Sequence, residues 1–454
     1  MKTKTTILLF LATLLVSKNM NSQTLGQHHM PDDFNPCGFD AGVAEFEQTH
    51  PEVIKANEER EKFIEQYSKQ HFNESPYNAD RSTEAVAKYR IPVVFHIFGS
   101  AGPSYNFWGH NVVDAAKIAQ VLQLANDDFH GSNTDYATVH NNFQSIRGTL
   151  DISFELAKKD PSGNPTTGIV WHTASGAGLA SASVAAYAWD NKKYYNIYIV
   201  ADLYNDGNQY NSGYTLYPNV TNTNNKEAKT VYNGQYLGIP NYDTNEFSST
   251  FTHELAHAMN CRHTFENGCN SPGDYVADTP PVVSNNLACH SSQTATTPTS
   301  TCTGNPLVNV ENYMDYSGRF ACYKMFTQGQ VTRMDGYLNV NDVTLFPLWQ
   351  QSNLIVTGLV SSTGINLVND AAIGMNVFPN PSNGIFQLNI TVNKQDDYKL
   401  EVKDVLGRLV YTQPLLGLNG NYKTTVDLQE QPKGVYFVSV SCSNGNRVVK
   451  VINE

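Results

Sequence analysis

Basic charge is scarce in this chain of 454 residues. Lysine and arginine total 30 against 42 acidic residues, so the formal net charge is −12, and charged residues make up only 16% of the sequence. An acidic chain without a basic stripe is a poor partner for nucleic acid or for an anionic membrane surface. We therefore expect no nucleic-acid partner. With 40% hydrophobic residues, the chain can form two or three globular units.

Long apolar runs are also missing beyond the N-terminal region. Lys2 and Lys4 precede an apolar run over residues 7–16, and small polar residues follow. This run is too short to cross a bilayer comfortably, and the pattern is typical of a secretory signal peptide. We expect residues 1–22 to be that signal peptide, no transmembrane segment elsewhere, and an exported protein.

Cysteines are few and odd in number. Because seven occur, at least one thiol of an exported protein is unpaired or pairs with another molecule. Four lie between residues 269 and 322 in a loop-rich stretch, where we expect two disulfides, but the sequence alone leaves their pairing open. Cys37 stands far upstream, and Cys261 and Cys442 have no assigned partner.

Changes in composition divide the remaining chain. Residues 23–88 are charged and poor in apolar runs, whereas a buried strand, RIPVVFHIFGS, follows them. Helical spacing over residues 111–129 and strand patterns at 149–157 and 194–203 come next. This order predicts an α/β (α+β) domain with a mixed sheet over residues 89–349.

In the C-terminal part, apolar residues recur at every second position, as in β-strands. Residues 350–373 have the composition of a linker. The segments FQLNITV, YKLEVKDV and GVYFVSVS then alternate apolar and polar residues and are separated by turn sequences. This pattern predicts a small all-β sandwich over residues 374–454.

The stretch FTHELAHAMNCRHTF, residues 251–265, carries the clearest chemical signal. His253 and His257 are four positions apart, so a helix places both rings on one face. Glu254 lies beside them and can poise a metal-bound water. If the helix continued, His263 would lie roughly 15 Å further along its axis than His253, out of reach of the same ion.

A turn after His257 is therefore required, and Asn260 stands where it must occur. Asparagine is the non-glycine residue that best tolerates the left-handed conformation found at helix ends. A catalytic zinc ion is often bound by three histidines, and its fourth coordination position stays open for water or substrate. The alternative, an amphipathic helix with surface histidines, does not explain the third histidine at this offset.

The sequence HELAHAMNCRH resembles the zinc-binding motif of the metzincins, with Asn260 in place of a glycine, and NVENYMDYSG resembles their methionine turn. The stretches RIPVVFHIF, GDYVADTPP and MFTQGQVTRM are similar to the pappalysin family, over roughly residues 30–345. The resemblance implies a metzincin-type catalytic domain with a mixed five-stranded sheet and a long zinc-binding helix.

The resemblance also implies roles for individual residues. Glu254 would be the general base and then the general acid, and Tyr316 would help to stabilise the tetrahedral intermediate, although Tyr316 can equally be a packed core aromatic. Met314 would form an apolar floor beneath the metal. The implied zinc ligands are His253, His257 and His263.

Two further features follow from the resemblance alone. The family's disulfides imply the pairs Cys269–Cys302 and Cys289–Cys322. Calcium binding near the DTP loop makes Asp274 and Asp278 candidate calcium ligands, although acidic loop residues are more often only solvated.

The segment NPCGF resembles the Cys-Gly segment of pappalysin propeptides. Cys37 would then bind zinc in a latent zymogen, with residues 23–88 as the propeptide and Arg81 or Arg90 as candidate cleavage sites. The alternative is a free surface thiol.

The segments NVFPNPSNGIF, EVKDVLGRLVY and KGVYFVSVS resemble the type A sorting domain of the bacterial type IX secretion system. This resemblance implies the secretion machinery as a partner, and a protein that is secreted or attached to the cell surface. A carbohydrate- or protein-binding β-module is the competing interpretation.

One segment departs from the family pattern. Members that cleave before arginine or lysine carry an acidic residue near the cysteine after the methionine turn, whereas residues 317–326 have none and include Arg319 and Phe320. We expect no preference for basic residues, and a neutral or apolar residue after the scissile bond.

These observations predict a secreted zinc endopeptidase that is made as a latent zymogen and acts on proteins or peptides. One alternative is a surface binding or adhesion protein with a degenerate metzincin domain, which the complete histidine motif argues against. Another is a zinc hydrolase that acts on non-peptide substrates, which the zymogen organisation argues against.

Overall fold

The computed structural model describes residues 37, 39–72, 86–238, 249–285, 289–317, 322–360, 373–442 and 445–454. These residues belong to the compact unit of residues 35–454. The predicted signal peptide, the candidate cleavage site Arg81, and Arg319 with Phe320 lie outside the described residues. Among the described helices, none has the length and apolarity needed to cross a membrane.

The helices are α1 (Phe39–Thr49), α2 (Glu52–His71), α3 (Ala115–His130), α4 (Val220–Asn224), α5 (Thr250–Ala258), α6 (Gln328–Leu338) and α7 (Gln351–Val356). The strands are β1 (Tyr89–Phe98), β2 (Ser104–Phe107), β3 (Asn111–Asp114), β4 (Arg147–Gly148), β5 (Ile152–Leu156), β6 (Ile169–His172), β7 (Tyr195–Val200), β8 (Gly213–Leu216), β9 (Lys229–Asn233), β10 (Phe326–Thr327), β11 (Ile373–Phe378), β12 (Ile385–Asp404), β13 (Leu409–Asp427), β14 (Gly434–Cys442) and β15 (Gly445–Asn453).

The main sheet of the α/β domain has the strand order β5-β1-β7-β9-β8, and β6 also pairs with β1. Strands β5, β6 and β7 run parallel to β1, whereas β8 runs antiparallel to β9. The predicted mixed sheet is therefore confirmed, with six strands in five positions, because β5 and β6 share one side of β1. The continuous apolar runs of β1 and β7 are buried, as expected for strands covered on both faces.

The helix α3 packs against the sheet and begins later than its apolar spacing suggested. Residues 111–114 form β3, and Asp114 caps the helix by accepting a hydrogen bond from the Lys117 backbone at 2.9 Å. Gly131 ends it in the left-handed conformation, with a φ of 65°. The apolar face of α3 is buried, and Asp128 on this helix is buried beside α5, where it accepts a hydrogen bond from Thr252.

Two helices precede the sheet within the predicted propeptide. α1 and α2 are separated at Pro51, whose ring is incompatible with the interior of one continuous helix. α2 packs on α6, and its residues Val53, Arg60 and Ile64 are buried. This segment is therefore an integral part of the described fold.

The predicted linker does not begin at residue 350. α7 continues the α/β domain, since Asn353 donates a side-chain hydrogen bond to the Lys193 carbonyl at 2.9 Å. The backbone of Lys158 also donates to the Thr357 carbonyl at 2.9 Å. Residues 361–372, the rest of the predicted linker, lie outside the described residues.

The C-terminal domain is all-β and antiparallel, as predicted. Its strand order is β11-β12-β14-β15, with β13 on the other side of β12. FQLNITV and YKLEVKDV were expected as separate strands, but they form one continuous strand, β12, whose pairing with β13 changes register near Asp396. A parallel bridge joins Ser382, between β11 and β12, to Asn453 of β15, and buried apolar residues of all five strands form one core.

Ile197 tests the packing of the main sheet. Its side chain is fully buried in β7, between partners in β1 and β9. We expect Ile197→Ala to lower the free energy of unfolding of the α/β domain by about 2–5 kcal/mol, since a cavity remains. Denaturant unfolding monitored by near-ultraviolet circular dichroism measures this. Val112→Ala, at a side chain 37% exposed, is the control, and an equal loss there would contradict the prediction.

Candidate metal centre

The helix α5 and the turn after it bring three histidines together. α5 has nine residues, fewer than the long helix that the family resemblance implied. It ends because Asn260 adopts the left-handed conformation, with a φ of 60°. The backbone of Asn260 donates to the His257 carbonyl at 2.9 Å, and that of Cys261 donates to the Ala256 carbonyl at 3.1 Å. The chain therefore turns back and returns His263 toward the helix.

The three imidazole rings point one nitrogen each at a common point. The Nε2 atom of His257 lies 3.1 Å from Nε2 of His253 and 3.1 Å from Nε2 of His263. All three residues are buried. Burial, and then the neighbouring histidines, hold the pKa of His257 well below its usual 6.5.

Backbone carbonyls fix the tautomers of two of these rings. Nδ1 of His253 donates to the Tyr313 carbonyl at 2.6 Å, and Nδ1 of His257 donates to the Cys261 carbonyl at 2.8 Å. Neutral rings held this way direct their Nε2 lone pairs inward. Converging lone pairs repel one another unless a cation lies between them, so the residues fit a metal ion.

Cys37 completes the cluster. Its sulfur and one nitrogen of each histidine all lie within 4.8 Å of one another, the one such group of three or more ligands found among the described residues. Cys37 is buried, and it forms a parallel β-bridge with Gly213 in β8. The bridge fixes the backbone from which the thiol reaches the histidines.

Glu254 lies in a closely fitted pocket between α5 and β8. Thr215 donates to its Oε2 at 2.8 Å, and the Cys37 thiol is a second donor. A Cβ at Gly213 would lie 2.5 Å from Glu254 Oε1, so only glycine leaves room for this carboxylate. Burial raises the pKa of Glu254 to about 8, although Thr215 and Cys37 act in the opposite direction. Such a group can exchange a proton near neutral pH.

The predicted methionine turn lies beneath the histidines. Met314 is fully buried, and its carbonyl accepts a hydrogen bond from the Thr264 backbone at 3.1 Å. The Tyr316 hydroxyl donates to the Cys37 carbonyl at 3.2 Å, and its ring centre lies 4.9 Å from that of His263. Tyr316 therefore contacts His263 and Cys37, and Met314 bonds to the residue that follows His263, while the roles expected of both stay predictions.

Several residues that support the site were not predicted from the sequence. Asp128 accepts hydrogen bonds from Thr252 at 2.6 Å and from the Tyr313 hydroxyl at 2.8 Å. Tyr323 stacks on His253, with ring centres 6.0 Å apart. Asp128 lies on a helix far upstream, so only the tertiary fold reveals its contact with the site.

The loop after the histidines is cross-linked. Disulfides join Cys269 to Cys302 and Cys289 to Cys322, with Cα atoms 5.4 Å and 5.2 Å apart. Cys37, Cys261 and Cys442 take part in no disulfide among the described residues.

The candidate calcium ligands use protein donors. Thr279 donates to Asp274 at 2.7 Å, and Asp278 accepts from Thr327 at 2.7 Å and from the Gly329 backbone at 2.9 Å. Burial raises the pKa of Asp274 to about 7. Calcium binding at these residues stays a prediction.

Comparison with known proteins agrees with this geometry. A family model described as pregnancy-associated plasma protein-A matches residues 178–339, and one described as a secretion system C-terminal sorting domain matches residues 376–454. A promirolysin mutant from Tannerella forsythia is similar in structure, with a TM-score of 0.53 and 25% identity, over 72% of this chain and 100% of that one. The chain therefore contains a pappalysin-type domain and a type IX sorting domain.

Curated relatives of the chain are named extracellular metalloproteases. The protein of that name from Sordaria macrospora is 38% identical over 149 residues, which are 32% of this chain and 48% of that protein. The one from Colletotrichum graminicola is 26% identical over 262 residues, 56% of this chain and 78% of that protein. The chain thus spans about half the length of the first relative. The relatives and the sorting domain indicate that it is secreted or attached to the cell surface.

The turn at Asn260 can be tested by substitution. We expect Asn260→Gly to retain the turn, since glycine adopts this conformation without strain, whereas Asn260→Ala should lose about 1–2 kcal/mol. Thermal unfolding and the metal content of the purified protein measure both effects. Equal melting temperatures and metal contents for the glycine and alanine variants would contradict a strained turn.

Proposed function

We propose that this protein is a secreted zinc endopeptidase, made as a latent zymogen, that hydrolyses peptide bonds in extracellular proteins or peptides. The observation that carries the proposal is the convergence of three histidine Nε2 atoms beside the buried carboxylate of Glu254. The pappalysin-type domain and the extracellular relatives support the same activity.

The donor set suits zinc. Three neutral imidazoles with inward lone pairs are the ligands of many catalytic zinc sites, and a sulfur atom is a further zinc ligand. His253, His257 and His263 would hold the ion, with Cys37 as a fourth ligand in the zymogen. When bound there, zinc supplies Lewis-acid polarisation of a peptide carbonyl and of water.

Glu254 is the group that moves protons. Its carboxylate takes a proton from the attacking water and then donates one to the leaving amine. Thr215 orients it through the hydrogen bond to Oε2, and Gly213 leaves it the space it needs. Burial raises the pKa of this carboxyl group, which favours the proton-donating step, while the hydrogen bond from Thr215 favours the carboxylate that takes the proton.

Tyr316 stabilises the negative charge that develops on the substrate carbonyl. Its hydroxyl already donates to a peptide carbonyl, that of Cys37, in the described structure. A preorganised donor of this kind contributes to catalysis because it needs no reorientation during the reaction.

The edge strand β8 offers a main chain for substrate binding. β8 is last in the strand order of the main sheet, and Cys37 forms a bridge to it at Gly213. A peptide can add to such an edge through backbone hydrogen bonds, while side-chain pockets set the preference. The expected preference for a neutral or apolar residue after the scissile bond stays a prediction, since Arg319 and Phe320 lie outside the described residues.

Latency follows from the position of Cys37. Its thiol lies with the three histidines, donates to Glu254, and sits on the substrate-binding edge. Cys37 therefore covers the three histidines, Glu254 and the edge strand β8 at the same time. Removal of residues 23–88 would uncover all three. The sorting domain would direct export through the type IX secretion machinery, and calcium near Asp274 and Asp278 would be a separate, structural ion.

Mass spectrometry of the purified protein from residue 23 onward tests the activity. We expect the protein to shed its first 60 or so residues over time, a process that stops with a zinc chelator. Glu254→Ala should slow shedding by about 10²–10⁴-fold, because the proton carrier is lost. Zinc content should remain, since Glu254 is not among the proposed ligands.

The matched control is Asp190→Asn, at a side chain 39% exposed. If no sample sheds residues while zinc is bound, added trypsin should activate the unmodified protein and the Asp190→Asn control but not Glu254→Ala. A trypsin-treated protein that still cleaves no casein, or one that binds no zinc, would overturn the proposal in favour of a binding or adhesion protein.

Cys37 provides a separate test of latency. We expect Cys37→Ala to speed shedding by at least about tenfold, since a lost contact of 1.4 kcal/mol changes an equilibrium by that factor. Cys442→Ala, at a free thiol of the C-terminal domain, is the control. Equal shedding by the Cys37 and Cys442 variants would rule out the thiol as the source of latency.

A further inference from the structure

Arg333 on α6 is a fully enclosed cation. Its side chain is 2% exposed, and its Nε donates to the Asn260 carbonyl at 2.9 Å. The guanidinium group lies over the ring of Tyr275, 5.2 Å from the ring centre. A buried arginine needs a compensating anion, because an unpaired buried charge is costly.

Glu61 on α2 is that anion. Both terminal nitrogens of Arg333 donate to the two carboxylate oxygens of Glu61, the Nη2–Oε2 distance being 2.7 Å. The side chain of Asn260 is a further donor to Glu61. Burial alone would raise the pKa of Glu61, but the Arg333 hydrogen bonds and charge, with a contribution from Arg262, hold it below 4.5. Glu61 is thus ionised at neutral pH.

Further contacts hold α2 at the same face. Arg60 pairs with Asp342 at 2.9 Å, and the Tyr67 hydroxyl donates to Asp335 on α6 at 2.6 Å. Ile64, between them on α2, is fully buried. We call the contacts of Arg60, Glu61 and Tyr67 the α2 anchor.

The α2 anchor is separate from the Cys37 contact. α1 lies between Cys37 and α2 in the chain, and the two contacts use different elements. Cys37 meets β8 and the histidines, whereas the anchor meets α6 and Asp342. Loss of one contact therefore leaves the other geometrically intact.

We propose that Arg333 and Asn260 form a carboxylate-binding site whose ligand is Glu61, and that this site keeps the propeptide bound after the chain is cut between α2 and β1. The inference rests on the proposed function only in treating residues 23–88 as removable. A single cut then leaves a non-covalent complex, and full activation requires release or digestion of α2. Asn260, where the family motif has glycine, contributes its side chain to this site.

The experiment uses the protein from residue 23 onward with Glu254→Ala, so that no self-digestion occurs. The recognition sequence of a specific protease replaces residues 76–82, and after cleavage the retained fragment is measured by size-exclusion chromatography and mass spectrometry. We expect the fragment to co-elute with the remainder of the protein. Glu61→Gln should release it at least about tenfold faster, because it leaves the Arg333 charge uncompensated.

Two variants provide controls. Glu59→Gln, at a side chain 65% exposed on the same helix, should leave retention unchanged. Cys37→Ser should retain the fragment, because the α2 anchor remains. Thermal unfolding of the uncut proteins checks that each variant folds. If Glu61→Gln does not fold, Asn260→Gly replaces it, since it preserves the turn and removes one donor to Glu61, and it should raise release a few-fold.

Equal retention of the fragment in Glu61→Gln and in the parent protein would overturn the proposal. Immediate loss of the parent fragment, or loss from Cys37→Ser but not from Glu61→Gln, would do so as well. Because the parent protein lacks Glu254, none of these outcomes depends on peptidase activity. A failure of the proposed function, seen in the shedding experiment, is therefore distinguishable from a failure of the α2 anchor.

Discussion

The left-handed turn at Asn260 is the constraint on which the rest of the site depends. Without it, α5 would continue and His263 would move away from His253. The same turn presents the Cys261 carbonyl to His257 and the Asn260 carbonyl to Arg333. One backbone conformation thus sets the third ligand, the tautomer of the second, and the position of a buried cation. An asparagine tolerates this conformation, and its side chain gains a partner that glycine cannot supply.

A second constraint comes from outside the motif. Buried Asp128 links three elements, because it lies on α3 and binds Thr252 on α5 and Tyr313 before the methionine turn. The Tyr313 carbonyl in turn accepts from His253. Burial raises the pKa of Asp128 to about 7, although its hydroxyl donors act in the opposite direction. Two hydrogen bonds through Tyr313 therefore connect α3 to the ring of His253.

Sequence patterns over a few residues predicted the features that depend on neighbouring residues in the chain. The helical period of 3.6 residues places His253 and His257 on one face, and the backbone preference of asparagine predicts the turn at Asn260. The continuous apolar run predicts the buried strand β1. Contacts between distant elements could not be predicted in this way. Gly213 and Thr215 shape the Glu254 pocket only because β8 lies next to α5. The sequence pattern of either element does not predict this contact. In the C-terminal domain, FQLNITV and YKLEVKDV were expected as two segments, yet pairing with β13 continues through the polar residues between them and makes them one strand, β12.

The Cys37 contact and the Glu61–Arg333 ion pair differ in their chemistry and therefore in what each can contribute to propeptide binding. The Cys37 contact lies on reactive groups, so it must be strong enough to exclude substrate and yet reversible. A buried ion pair such as Glu61–Arg333 adds little net stability, since desolvation of both charges offsets most of their attraction. Its geometry is nevertheless strict, because two parallel hydrogen bonds form only in one register. The pair therefore fixes where α2 lies on α6, whereas the bridge to Gly213 fixes where Cys37 lies on β8.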